Sequence, residues 1–227
     1  MEFKGFPKEA LEFLASIEQN NSKEWFELHK DRYENFILHP SRAFATEMGE
    51  HLMALEPTIN FAPKMNHTLF KIYRDTRRMG NDKRPIKERI GFIWWQGNHK
   101  RLQSSSFYMH FDKSELFASV GIRWFEPPML KAYREFISKE QNRESLHVII
   151  SKLQKKGYSL IEKKLKRFPK GFDDELALYK GMAMYKTMPS EIICDGEKLI
   201  DTLYKAYEDM LPLQQLVYEI TLLRKDT

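Results

Sequence analysis

The sequence predicts an α+β fold, a central antiparallel sheet of about four to six strands flanked by N-terminal and C-terminal helices. Three observations lead there. Residues 1–60 repeat apolar side chains at helical spacing. Residues 61–125 change to short runs rich in Ile, Val, Phe, Tyr and Trp, broken by Gly, Asn, Asp and Pro, the texture of strands. Residues 126–227 return mainly to helical spacing, so the strands are grouped together instead of alternating with helices. With no repeat or low-complexity linker, the expectation is a single domain over residues 1–227.

The elements follow in order. After Pro7, which suits a first helical turn, Ala10, Leu11, Phe13, Leu14 and Ile17 predict a helix over 7–19. Asn21 and Glu24 read as a capping pair for a second helix bearing Trp25, Phe26, Tyr33, Phe36 and Ile37, ending before Pro40. Pro40 opens a third helix with Phe44, Met48, Leu52 and Leu55 as its stripe. Strands are expected near 68–74, 89–96, 105–112 and 116–124, the last two joined by a tight turn from Asp112 to Glu115. Pro127 and Pro128 start a helix to about Glu140, and Glu144 to Lys156 forms another, stopped by Gly157. A short strand near 158–162, a polar loop through Pro169 and Gly171, and two helices near 196–209 and 211–224 complete the chain.

Composition narrows the class. The 227 residues are 42% hydrophobic, with sixteen Phe and ten Tyr, enough for a substantial core. Cys194 is the only cysteine, so no intrachain disulfide and no cysteine-based zinc cage can form, which fits a reducing compartment. Nothing in the sequence approaches about 18 consecutive apolar residues, and the charged start resembles no secretory signal, so the expectation is a cytoplasmic protein without membrane association. The seven histidines show no ligand-pair spacing, so no metal site is expected. Phosphate loops, dinucleotide fingerprints and nucleophile elbows are absent as motifs, which leaves any cofactor unknown.

Charge is the informative feature. Residues 1–60 and 172–227 each carry a net −5, whereas 61–149 carry +8 and 150–171 carry +7. The acidic ends therefore have a basic centre to pack against. Within that centre, residues 71–89 hold eight Lys or Arg and three acids in nineteen positions. Crowded cations repel one another, and guanidinium forks match paired oxygens, so such a cluster calls for an anionic partner inside or outside the protein. Arg74, Arg77, Lys83 and Lys87 are the candidate anion contacts, placed where a strand runs into a Gly-containing loop. Asp75 and Asp82 are the candidates to orient an arginine, to act as a base, or to help hold a metal ion.

Several motifs together carry a resemblance: NNSKEWFELHKDRYENFILHP near the start, FKIYRDTR followed by NDKRPIK, VGIRWFEPP at 120–128 and FPKGFDDE at 168–175. The chain resembles the uncharacterised bacterial and fungal proteins grouped as domain of unknown function 2461. The resemblance carries that family's Arg-Asp-x-Arg-Phe and Asp-Lys-x-Pro-Tyr-Lys motifs onto Arg74, Asp75, Arg77, Asp82, Lys83, Pro85 and Lys87. This chain departs at Arg78, at Ile86 and by one inserted residue near Gly80. The family brings no established activity, so the resemblance implies a site and no reaction.

Three readings stand open. The first is an anionic small-molecule site at Arg74 to Lys87, in a protein that binds or transforms a phosphorylated compound. The second is a nucleic-acid module stacking bases on Trp94, Trp95, Phe107, Tyr108 and Trp124 beside the basic centre. The third is a scaffold in which acids and arginines of the loop neutralise one another. Oligomeric state has no signature in the sequence.

Overall fold

The computed structural model describes residues 2–75 and 82–224. It is an α+β structure built on one six-stranded, wholly antiparallel sheet. The strands are β1 (Ile59–Asn60), β2 (Ile90–Gln96), β3 (Ser106–Phe111), β4 (Glu115–Ile122), β5 (Ser159–Leu160) and β6 (Met182–Pro189), in the order β1-β2-β3-β4-β6-β5. The β3–β4 hairpin is the expected one, and the Asp112 carboxylate fastens its turn by accepting from the Ser114 and Glu115 amides at 2.7 and 2.9 Å.

The N-terminal quarter is helical: α1 (Lys8–Gln19), α2 (Lys23–Leu28), α3 (Lys30–Tyr33) and α4 (His39–Leu52). The expected break before Pro40 is absent. A single π-turn at Glu34–Leu38, in which the His39 amide reaches back to the Glu34 carbonyl, widens the helix where the Pro40 ring must fit, and the chain runs straight on. The C-terminal half holds α5 (Pro127–Ser138), α6 (Glu140–Lys155) and α7 (Gly196–Leu222). The two final helices expected from the sequence are one helix of 27 residues with Pro212 inside it. Buried Leu199, Leu203, Tyr207, Met210, Leu213, Val217 and Ile220 continue one stripe past the proline, and packing of that stripe offsets the missing hydrogen bond.

Core packing lies on one side of the sheet. Phe6 meets Phe111 at 4.7 Å, Phe44 meets Phe92 at 5.0 Å and Phe107 meets Tyr207 of α7 at 5.2 Å. Trp94, fully buried, donates its indole N–H to the Ala45 carbonyl at 3.0 Å. Each such buried ring contributes about 1.5–3 kcal/mol relative to exposure, so this face holds the sheet to its helices. The basic middle of the sequence does receive acidic groups from both ends. Lys113 pairs with Glu18, and Lys156 pairs with Asp209 at 2.5 Å.

Candidate functional site

The basic segment is shaped by a narrow ribbon at the N-terminal end of β2. Residues 68–74 run antiparallel to residues 85–93: the Phe70 amide bonds the Gly91 carbonyl at 3.0 Å, Lys87 bonds Ile72 at 2.8 Å and Arg74 bonds Pro85 at 2.8 Å. Residues 68–74, expected as a full strand, therefore pair only in isolated bridges, at Leu69 with Phe92 and at Tyr73 with Ile86. The outward edge of this ribbon at Ile86 is closed by a side chain. Asn21 accepts from the Ile86 amide at 3.0 Å and donates to the Ile86 carbonyl at 3.0 Å and to Glu88 at 3.1 Å. Asn21 is thus not the helix cap read from the sequence. Ser22 is the cap, its hydroxyl accepting from the Trp25 amide at 3.1 Å.

Next to that edge an ion network fixes the far side of the loop. Arg84 grips Asp82 through two hydrogen bonds of 2.9 Å and reaches Glu88 at 2.7 Å. Arg74 approaches Asp82 at 3.1 Å and Glu88 at 3.6 Å. These bonds, those from Arg84 foremost, hold the Asp82 carboxyl well below the usual carboxylate range. Its oxygens are engaged, a geometry that orients arginines and does not suit a proton acceptor. Sequence reasoning named Asp82 and Arg74 but passed over Arg84, Glu88 and Asn21, although Arg84 and Glu88 stand one helical turn apart in number and lie inside the basic run.

The other cations are arranged differently. Lys87 is half-buried, and among the described residues its ammonium donates to the Lys71 carbonyl alone, at 2.5 Å. Burial pushes its pKa down, and the charges of Arg89, Arg101 and Arg74 push it further in the same direction. Among the described residues no carboxylate forms an ion pair with Lys87, Arg89, Arg101 or Arg123. Arg101 lies over the Phe70 ring at 4.2 Å and donates to the His67 carbonyl. An open depression of about 400 Å³ is lined by Arg74, Asp75, Lys87, Glu88, Arg89 and Asp112. A second, of about 380 Å³, shares Arg74 and lies against Lys23, Glu27 and Tyr73. Four of the sequence candidates, Arg74, Asp75, Asp82 and Lys87, are brought into this neighbourhood. Lys83 is exposed and lines neither depression, and Arg77 lies outside the described residues.

Beside the depression runs the face of the sheet opposite the packed core. The register puts Gly91, His110 and Phe117 in one row and Ile93, Tyr108, Ser119 and Tyr185 in the next. His110 stacks on Phe117 at 4.7 Å, and Phe117 stacks on Tyr185 at 5.0 Å. Burial and the nearby Arg89 charge push the His110 pKa down to about 4, so its imidazole is neutral at pH 7.

A family model described as "Conserved hypothetical protein" matches residues 9–216, nearly the whole described chain. The chain belongs to the DUF2461 family. The resemblance seen in the sequence motifs is thereby shown, and the DUF2461 match takes in the basic ribbon, the ion network and the aromatic face. No curated protein matches the chain. Of the rings expected as a base-stacking platform in this DUF2461 chain, Trp94 and Phe107 are fully buried in the core and have no free face, while Trp124 is 51% exposed under Lys180. Among the described residues no helix is long and apolar enough to cross a membrane, and no group of three or more His, Cys, Asp or Glu could hold a metal ion.

Proposed function

We propose that the chain binds a small phosphate- or carboxylate-bearing ligand in the depression above Lys87 and Arg89. The observation that carries this reading is the half-buried Lys87 ammonium, in the field of three arginines, which lies over the Phe70 ring at 5.8 Å and donates to one backbone carbonyl. A cation held in repulsion and partly out of water raises the free energy of the empty fold, and an anion placed there relieves it. The lining also contains three acids: Asp112 serves the hairpin turn, Glu88 serves Arg84, Arg74 and Asn21, and Asp75 is exposed and itself engaged. The six lining residues balance, three cations against three carboxylates, and Arg101 adds its field from outside the lining, so the site suits a compact anion held at Lys87 and Arg89 better than a long polyanion.

The Arg74, Asp82, Arg84 and Glu88 network supports the scaffold reading for those four residues, as the frame that keeps Lys87 in place. The test is calorimetric titration with inorganic phosphate and with short-chain organic phosphates. Lys87→Met should weaken binding about 10- to 100-fold, the loss expected for one charge-assisted contact of about 1.5–3 kcal/mol. Lys83→Ala, outside the lining, should bind as the parent does. Equal affinity of the Lys87→Met variant and the parent removes the assignment.

A further inference from the structure

Alternation along β2 puts Arg89, which lines the anion depression, on the same face of the sheet as Gly91, and the chemistry of that face differs from that of the depression. Phe70 lies over Gly91, whose missing side chain leaves the room: a Cβ there would stand 3.3 Å from both the Phe70 ring and the Tyr108 hydroxyl. Phe70 then meets Tyr108 edge to face at 5.8 Å. Beyond it His110, Phe117 and Tyr185 stack across three neighbouring strands, with centroid separations of 4.7 and 5.0 Å and planes within 22° of parallel. Those separations match the strand spacing of about 4.8 Å, so the rings stand side by side upon the sheet and turn their edges outward.

Aromatic edges are the positive part of the ring quadrupole. They take the face of a flat conjugated system lying across them, or a carbonyl oxygen, and they do not take a saturated chain as well. Phe70, Tyr108, Phe117 and Tyr185 are each part-buried, so part of each ring is exposed. Polar groups are set among them. Among the described residues the Tyr108 hydroxyl has no hydrogen-bond partner, and neither has the buried Nδ1 of His110, a residue 7% exposed. Arg89 and Arg123 direct their field onto both Tyr108 and His110. Arg89 on the rim of the anion depression and the upright rings thus share one face of the sheet.

We infer that the ligand is a phosphate-bearing compound with a flat heterocycle, of nucleotide type, its phosphate over Lys87 and Arg89 and its ring lying across the edges of Tyr108, His110 and Phe117. This rests on the anion-binding reading and adds the class of the organic part. Two strand spacings separate β2 from β4, about 10 Å, which is the reach of a single nucleotide and too short for an oligomer. The neutral imidazole and the phenol supply hydrogen bonds to ring nitrogens or carbonyls without adding charge.

The experiment is a set of calorimetric titrations on the full chain with adenosine 5′-monophosphate, ribose 5-phosphate and inorganic phosphate. The monophosphate should bind at least tenfold more tightly than ribose 5-phosphate. Tyr185→Leu, at a partly exposed ring, should cut that preference severalfold while ribose 5-phosphate binds as before, and Lys87→Met should weaken both ligands by a similar factor. Equal affinities for the nucleotide and the sugar phosphate overturn the ring subsite and leave the anion site standing. Failure of all three probes to bind overturns both. Should Tyr185→Leu not fold, Tyr108→Phe, which keeps the ring and removes the hydroxyl, must lower nucleotide affinity alone, and unchanged affinity counts against the inference.

Discussion

His110 shows how one position can tie stability to pH. Its imidazole is kept neutral by burial and by Arg89 and Arg123, against the opposing pull of Asp112. The unfolded chain takes a proton near pH 6.5, while the folded chain resists until about pH 4, so stability falls as the pH is lowered between those values. The full difference corresponds to about 3 kcal/mol. Urea unfolding at pH 7 and pH 4.5 should therefore show a larger loss for the parent than for His110→Phe, and equal losses would contradict the assignment. Lys87 works in the opposite sense, because it is a cation the empty fold tolerates at a cost. Lys87→Met without ligand should melt at or above the parent temperature, while the stabilisation that inorganic phosphate gives the parent should be lost. A melting temperature lowered by several degrees would instead mark Lys87 as a support of the ribbon.

At the level of elements, the two prolines that interrupt predicted helices have different remedies. Pro40 is met by a π-turn, whereas Pro212 sits exposed on α7 and has no N–H to offer the carbonyl four residues earlier. Pro212→Ala should restore that bond and raise stability by about 1 kcal/mol in chemical denaturation. An unchanged or lower stability would show that α7 has adapted its curvature to the ring. Helical and strand texture were legible because burial imposes a period, and α1, β2 to β4, α5 and α6 follow from it. Strand β6 was not legible: Met182, Met184 and Met188 alternate with Ala183, Tyr185 and Thr187, but methionine and alanine carry little strand signal, and the strand is specified by pairing with β4, 60 to 74 residues away. The single helix α7 was hidden for the opposite reason, since a local breaker was overruled by distant packing. In the candidate site the charge cluster was legible and its division of labour was not. Composition cannot tell Arg74, paired with two acids, from Lys87, paired with none among the described residues.

For the molecule as a whole, one contiguous core runs from Phe3 through α4, the sheet and α7 to Ile220. That continuity predicts one cooperative unfolding transition with equal calorimetric and van't Hoff enthalpies, and two resolved transitions would divide the chain into separate folding units. The same continuity leaves the ribbon beside β2 as the place where backbone faces outward. There Asn21 presents its amide to Ile86 in the way a neighbouring strand would, one acceptor and one donor at 3.0 Å. Its consequence reaches beyond the stability of one chain. With that amide removed, the N–H and C=O of Ile86 become a template on which a second molecule can lay its own backbone. An Asn21→Ala protein should therefore self-associate as its concentration rises, in sedimentation or light scattering, under conditions where the parent stays dispersed.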